Sequence, residues 1–131
     1  MLEDSKAFSG FAVDDVDAAK VFYGETLGVR TKVLDEENGL LQLDLAGGDR
    51  PTLIYRKPDF EPATYTVLYF PVEDVGAAVD ELTLRGASFE RYEEIDQDEK
   101  GISLDPSGPR VAWFKDPAGN LLAVTELDAT A

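Results

Sequence analysis

The side chains able to do chemistry in this chain form a restricted set. There are 27 aspartates and glutamates, five tyrosines and a single tryptophan, Trp113, but no histidine and no cysteine. Without histidine the chain lacks the commonest general base at neutral pH and the commonest transition-metal ligand. Ser-His-Asp and Cys-His arrangements cannot be built, and disulfide and thiolate chemistry are excluded. Any bound metal would have to be held by oxygen, which favours hard cations such as Mg²⁺ or Ca²⁺. What remains is a carboxylate or phenol whose pKa is shifted by an apolar setting, and aromatic faces suited to flat or cationic organic molecules. Asp96-Gln97-Asp98-Glu99-Lys100-Gly101 resembles the start of a calcium loop. It fails as one, because Lys100 takes a ligand position and Ser107 stands where the closing glutamate belongs. The segment reads as a solvated acidic loop.

The formal net charge is −15. Such a surface repels nucleic acid and anionic membranes, so neither is expected as a partner. It attracts cations, or it serves only to keep the protein soluble, or it suits a salt-adapted host. No run of about 18 apolar residues is present to form a membrane span. The acidic start, Met1-Leu2-Glu3-Asp4, is unlike a signal peptide. With no cysteine, the expected location is cytoplasmic.

These side chains are positioned by a unit used twice. Phe11-Ala12-Val13-Asp14-Asp15-Val16-Asp17-Ala18-Ala19 returns 59 positions later as Phe70-Pro71-Val72-Glu73-Asp74-Val75-Gly76-Ala77-Ala78, with six of nine residues identical. Each copy reads as a strand, an acidic cap and an amphipathic helix. In the first, Asp14 or Asp15 caps a helix to about Thr26, with Val16, Ala19, Tyr23 and Leu27 on the buried stripe and Gly28 ending it. Strands over about 30–34, 40–45 and 52–57 follow, the first two joined by the Asn38-Gly39 turn. In the second, Asp74 caps a helix to Arg85, with Val75, Ala78, Val79 and Leu82 inward. Extended segments are expected at 88–92, 101–104, 110–114 and 121–127, and 128–131 as a frayed tail. The order β-α-β-β-β, twice, predicts an α+β fold. One domain spans 1–131: a first module at about 7–57, a linker at 58–64 and a second module at about 65–127.

Four features together resemble the vicinal oxygen chelate superfamily of glyoxalases, bleomycin-resistance proteins and extradiol dioxygenases. They are Val13-Asp14-Asp15-Val16 followed by Phe22-Tyr23 and Leu27-Gly28, the echo at 70–86, the β-α-β-β-β duplication, and Phe114-Lys115-Asp116-Pro117-Ala118-Gly119-Asn120, close to the family's F-x-D-P-x-G-N. The resemblance covers about 7–127. It implies two tandem βαβββ modules forming a U-shaped, eight-stranded sheet around a cavity, in a homodimer. The hairpin reads as a structural corner, since Asp-Pro starts a turn and Gly-Asn tolerates positive φ.

The resemblance also implies where a metal would sit in metal-using relatives: on the first and last strands of the modules. Those positions fall at Phe8, Val67, Ala123 and either Leu53 or Tyr55. None offers a metal donor suited to a divalent cation, so a metal-free, cofactor-free member is expected. In place of ligands, Phe8, Tyr55, Val67, Tyr69, Val111, Trp113 and Ala123 are expected to face the cavity and bind a small organic molecule, cationic if the acidity reflects the ligand. This is the sequestering behaviour of bleomycin-resistance relatives. The same residues could instead merely fill a closed core. The alternative is a glyoxalase- or dioxygenase-type lyase or isomerase. It would be metal-independent with Glu126, Tyr55 or Tyr69 as acid or base, or metal-dependent if the strand register differs.

Overall fold

The computed structural model describes residues 1–127; the run 128–131, expected to be a tail, lies outside the described residues. The chain divides into two compact units, Met1–Pro62 and Ala63–Ala131, at a boundary inside the stretch 58–64.

The first unit runs β1 (Ser9–Val13), α1 (Val16–Val21), β2 (Arg30–Asp35), β3 (Leu40–Asp44) and β4 (Thr52–Arg56). Its sheet has the order β1-β4-β3-β2, with β1 parallel to β4 and the other pairs antiparallel. The cap of α1 is Asp15, not Asp14: its carboxylate accepts the Ala18 N–H at 3.1 Å. Only the first turns are α-helical. Phe22–Thr26 form a π-helical turn in which the Leu27 N–H reaches the Phe22 carbonyl at 2.9 Å, where the spacing predicts a continuing α-helix. Within this wide turn Tyr23 is fully buried, with its ring 5.2 Å from Phe22 and 6.0 Å from Phe11. Phe11 pairs with Ile54, and Ile54 with Leu41, so this row marks the helix-packed face. Alternation turns Gly10, Ala12, Leu53, Tyr55, Leu40 and Gln42 to the opposite face.

The second unit runs β5 (Thr66–Pro71), α2 (Val75–Leu84), β6 (Val111–Lys115) and β7 (Leu121–Thr125). Its sheet has the order β5-β7-β6, again with the first strand parallel to the last. Asp74 caps α2 with backbone angles of −136° and 104°, against −134° and 105° at Asp15. The duplication seen in sequence is thus a duplication of cap geometry. α2 packs on β6 and β7, and Ala112, Phe114, Leu122 and Val124 are buried.

The described residues form seven strands in two sheets, an α+β architecture. The expected strand at 88–92 is reduced to a bridge between Phe89 and Phe114, and that at 101–104 to a bridge between Gln97 and Ser103. The cause is Gln97. Its side-chain amide accepts the Tyr92 N–H at 2.7 Å and donates to the Glu90 and Gly101 carbonyls at 3.1 and 2.9 Å. Side-chain bonds of this kind take backbone groups away from a ladder. The segment expected to be a solvated loop is therefore folded around one glutamine.

The Asp116–Asn120 corner is structural, as its composition implies. The buried Asp116 carboxylate accepts the Asn120 N–H at 2.8 Å, and Asn120 donates its side-chain amide back at 3.2 Å. Positive φ is taken only by Gly119; Asn120 contributes hydrogen bonds, including acceptance of the Ala63 N–H at 3.4 Å.

Candidate functional site

The open face of the second sheet is built by the strand register. Tyr69 pairs with Ala123 and Ala123 with Trp113, so one row crosses all three strands. The next row is Pro71, Thr125 and Val111. Alternation sends these side chains away from α2, because Ala112 and Val124 between the two rows, and Phe114 and Leu122 next to them, are buried on the helix side. Ala123 is fully buried while Tyr69 is 57% exposed, leaving a small floor flanked by two aromatic side chains. Four of the residues singled out in the sequence, Tyr69, Val111, Trp113 and Ala123, thus share one face. Val67 belongs to the same strand but is the extra residue of a bulge between Thr66 and Leu68.

Phe8 and Tyr55 belong to the first unit. Phe8 precedes β1 and is 60% exposed. Tyr55 stands on the open face of the first sheet, paired with Ala12 and Leu40. The register also decides between Leu53 and Tyr55. Leu53 pairs with Gly10 as Ala123 pairs with Tyr69, and Gly10 and Tyr69 are repeat mates. Leu53 is therefore the first-unit counterpart of Ala123.

Two neighbours of Trp113 went unseen in the sequence. The Tyr92 ring meets the indole edge-on at 5.7 Å. Burial, and then the charge of Glu90, push its phenol pKa up, so it stays protonated as a donor. Beside the indole lies a depression of about 430 Å³ walled by Ile95, Leu104 and Pro106. Glu94, Asp96 and Asp105 also line it, and no lysine or arginine does among the described residues. Asp105 is held by the backbone and hydroxyl of Ser107, which lower its pKa and keep it ionised. The signal for this wall was the acidic run itself, but only the Gln97 fold brings it to Trp113.

Glu126, a candidate acid or base, is engaged elsewhere. Its carboxylate accepts the Val75 N–H at 3.0 Å, at the start of α2, and lies 3.6 Å from Arg110. That is a second anchor for the helix N-terminus.

A family model described as Glyoxalase/Bleomycin resistance protein/Dioxygenase superfamily matches residues 9–124. The chain belongs to this superfamily. A superfamily member from Sphaerobacter thermophilus is similar in structure, with a TM-score of 0.70 at 23% identity, covering 95% of this chain and 98% of that one. A glyoxalase/bleomycin resistance protein from Streptomyces sp. CB03234 gives 0.62 at 26%, covering 92% and 99%. An antibiotic binding protein from the same organism gives 0.65 at 24%, covering 93% and 96%. No curated protein matches the chain.

The superfamily's metal chemistry can be tested against these residues. Phe8, Leu53, Val67 and Ala123 present only carbon side chains, which give a cation nothing to coordinate. Among the described residues no three carboxylates come together as a metal group. The set does not fit a divalent metal at the superfamily positions.

Proposed function

We propose that this superfamily member binds a small organic molecule without a metal, on the aromatic row Tyr69–Ala123–Trp113. The observation that carries the reading is that row: two aromatic side chains flank the buried Ala123, which stands where the resemblance puts a ligand in metal-using relatives. Aromatic side chains beside a small floor suit a flat ligand, which gains from stacking and buried area. Val111 and Val67 extend the apolar surface of the second sheet. The likeness to an antibiotic binding protein supports binding rather than turnover. In this reading the two units are two modules of one domain, the protein is cytoplasmic, and the working assembly is a homodimer.

The indole N–H of the sole tryptophan is a direct reporter. Flat aromatic fragments such as naphthalene and quinoline derivatives are titrated while its amide-type NMR signal is followed. Saturable shifts are expected, with affinity falling at least about tenfold in Tyr69→Ala, a loss of roughly 1.4 kcal/mol. The absence of any fragment that moves the Trp113 signal, or binding indifferent to Tyr69→Ala, would overturn the proposal.

A further inference from the structure

Asn38-Gly39 is the one Asn-Gly pair in the sequence. Such a pair can modify itself. The Gly39 backbone nitrogen attacks the Asn38 side-chain carbonyl carbon, and with no Cβ at glycine nothing crowds the approach. A C–N bond forms, the side-chain nitrogen leaves as ammonia with the proton lost by Gly39, and a succinimide ring remains. Water then opens either ring carbonyl, giving aspartate or isoaspartate at position 38. Asn38 is exposed in the turn between β2 and β3, so water and base reach it. The hairpin nevertheless holds both reacting groups. Asp35, the last residue of β2, accepts the Asn38 backbone N–H on Oδ1 at 3.0 Å and the Asn38 side-chain amide on Oδ2 at 2.9 Å. Its carbonyl accepts the Gly39 N–H, the hydrogen of the nucleophile itself, at 3.0 Å. Gly39 is buried, and its own carbonyl accepts the Arg56 N–H at 3.0 Å, which ties it to β4. The bonds from the Asn38 backbone and then its side chain hold the Asp35 carboxyl below its usual pKa, so the clamp is an anion.

From this geometry we infer that Asn38 is a site of spontaneous deamidation shielded by Asp35, whose carboxylate and carbonyl pin the Asn38 amide and the Gly39 nitrogen so that the folded hairpin suppresses succinimide formation. An aspartate at 38 would set a second carboxylate against Asp35 in place of a donor, and isoaspartate would add a methylene to the backbone between β2 and β3. Leu40 pairs with Tyr55, so the damage would begin beside the open face of the first sheet. The inference holds whether or not the second sheet binds a ligand.

The test ages the whole protein at mildly alkaline pH, well below its melting temperature. Conversion of Asn38 is followed by peptide-mapping mass spectrometry and by enzymatic detection of isoaspartate. The reference is the same chain unfolded in urea, which keeps the Asn38-Gly39 pair but not the clamp. The folded protein is expected to deamidate at least about tenfold more slowly than the unfolded chain, since two hydrogen bonds of ordinary net strength must break first. Folded Asp35→Ala should lose most of that protection. Asp35→Asn, which keeps the size and one acceptor oxygen, should fall between the two, and it carries the test by itself should the alanine variant not fold. Far-UV circular dichroism establishes which variants are folded. Equal rates for the folded and unfolded parent would overturn the shielding. A folded Asp35 variant that ages as slowly as the parent would overturn the role of the carboxylate. One that ages more slowly than the parent would show the carboxylate promoting the attack, the reverse of the inference.

Discussion

Gln97 makes three hydrogen bonds with one side chain, and its replacement tests the account of the second unit. In Gln97→Leu the Tyr92 N–H and the Glu90 and Gly101 carbonyls lose partners now at 2.7, 3.1 and 2.9 Å. Each bond is worth about 1 kcal/mol net, and a group left buried costs about 1–3 kcal/mol. Gly101 is buried, so its carbonyl is the one least able to turn to water. The expected loss is about 2–3 kcal/mol, or several degrees in Tm. Gln97→Glu sharpens the test. The carboxylate still accepts the Tyr92 N–H but faces two carbonyls with no hydrogen to offer, which raises its pKa in the folded state. A raised folded pKa means that the folded protein binds the proton more tightly, so stability lost at neutral pH returns as pH falls through that pKa. Thermal melts across pH, read by far-UV circular dichroism and by the near-UV signal of Trp113, measure both effects. A Leu variant that melts within a degree of the parent with an unchanged Trp113 signal would refute the role given to Gln97. A Glu variant with no recovery at acid pH would refute the bond geometry.

Two further predictions bear on the modules. Asp74→Ala removes a cap whose carboxylate accepts the Ala77 N–H at 3.1 Å, and chemical denaturation should show a loss of about 1 kcal/mol; an unchanged midpoint would contradict the cap. Gly39→Ala should be more damaging than Gly86→Ala in the same assay. Both glycines have positive φ, at 76° and 100°, but an added Cβ at Gly39 lies 2.8 Å from the Arg56 Cβ, while nothing lies within 4 Å at Gly86. The backbone cost alone is about 1–2 kcal/mol, so Gly86→Ala should stay near it and Gly39→Ala exceed it.

The parts of the fold set by local chemistry were legible in the chain. The acidic caps, the glycines at helix ends, the Asn38-Gly39 turn and the Asp116–Asn120 corner all act within a few residues, and each stands where its residue types put it. The placement of Tyr69, Val111, Trp113 and Ala123 on one face followed from strand alternation. What could not be read depends on contacts that spacing does not encode. The π-helical turn at Phe22–Thr26 lies where 3.6-residue periodicity predicts an α-helix. Glu126 meets the start of α2 from 51 residues away, which turned a candidate base into a helix anchor. The acidic stretch looked solvated because its charges are visible in sequence while the amide that folds it is a single glutamine. The choice between Leu53 and Tyr55 needed the parallel register of β1 with β4.

On the proposed function, the superfamily scaffold here has exchanged metal chemistry for organic-ligand binding. A native mass spectrum of the untreated protein, repeated after incubation with Mg²⁺, Mn²⁺, Fe²⁺, Ni²⁺ or Zn²⁺, tests it most directly. The expected result is a dimer mass with no stoichiometric divalent ion, before or after incubation, and a discrete added mass once a flat aromatic ligand is supplied. One tightly held divalent ion per chain would contradict it, because Phe8, Leu53, Val67 and Ala123 could not then be the residues that stand at the metal positions.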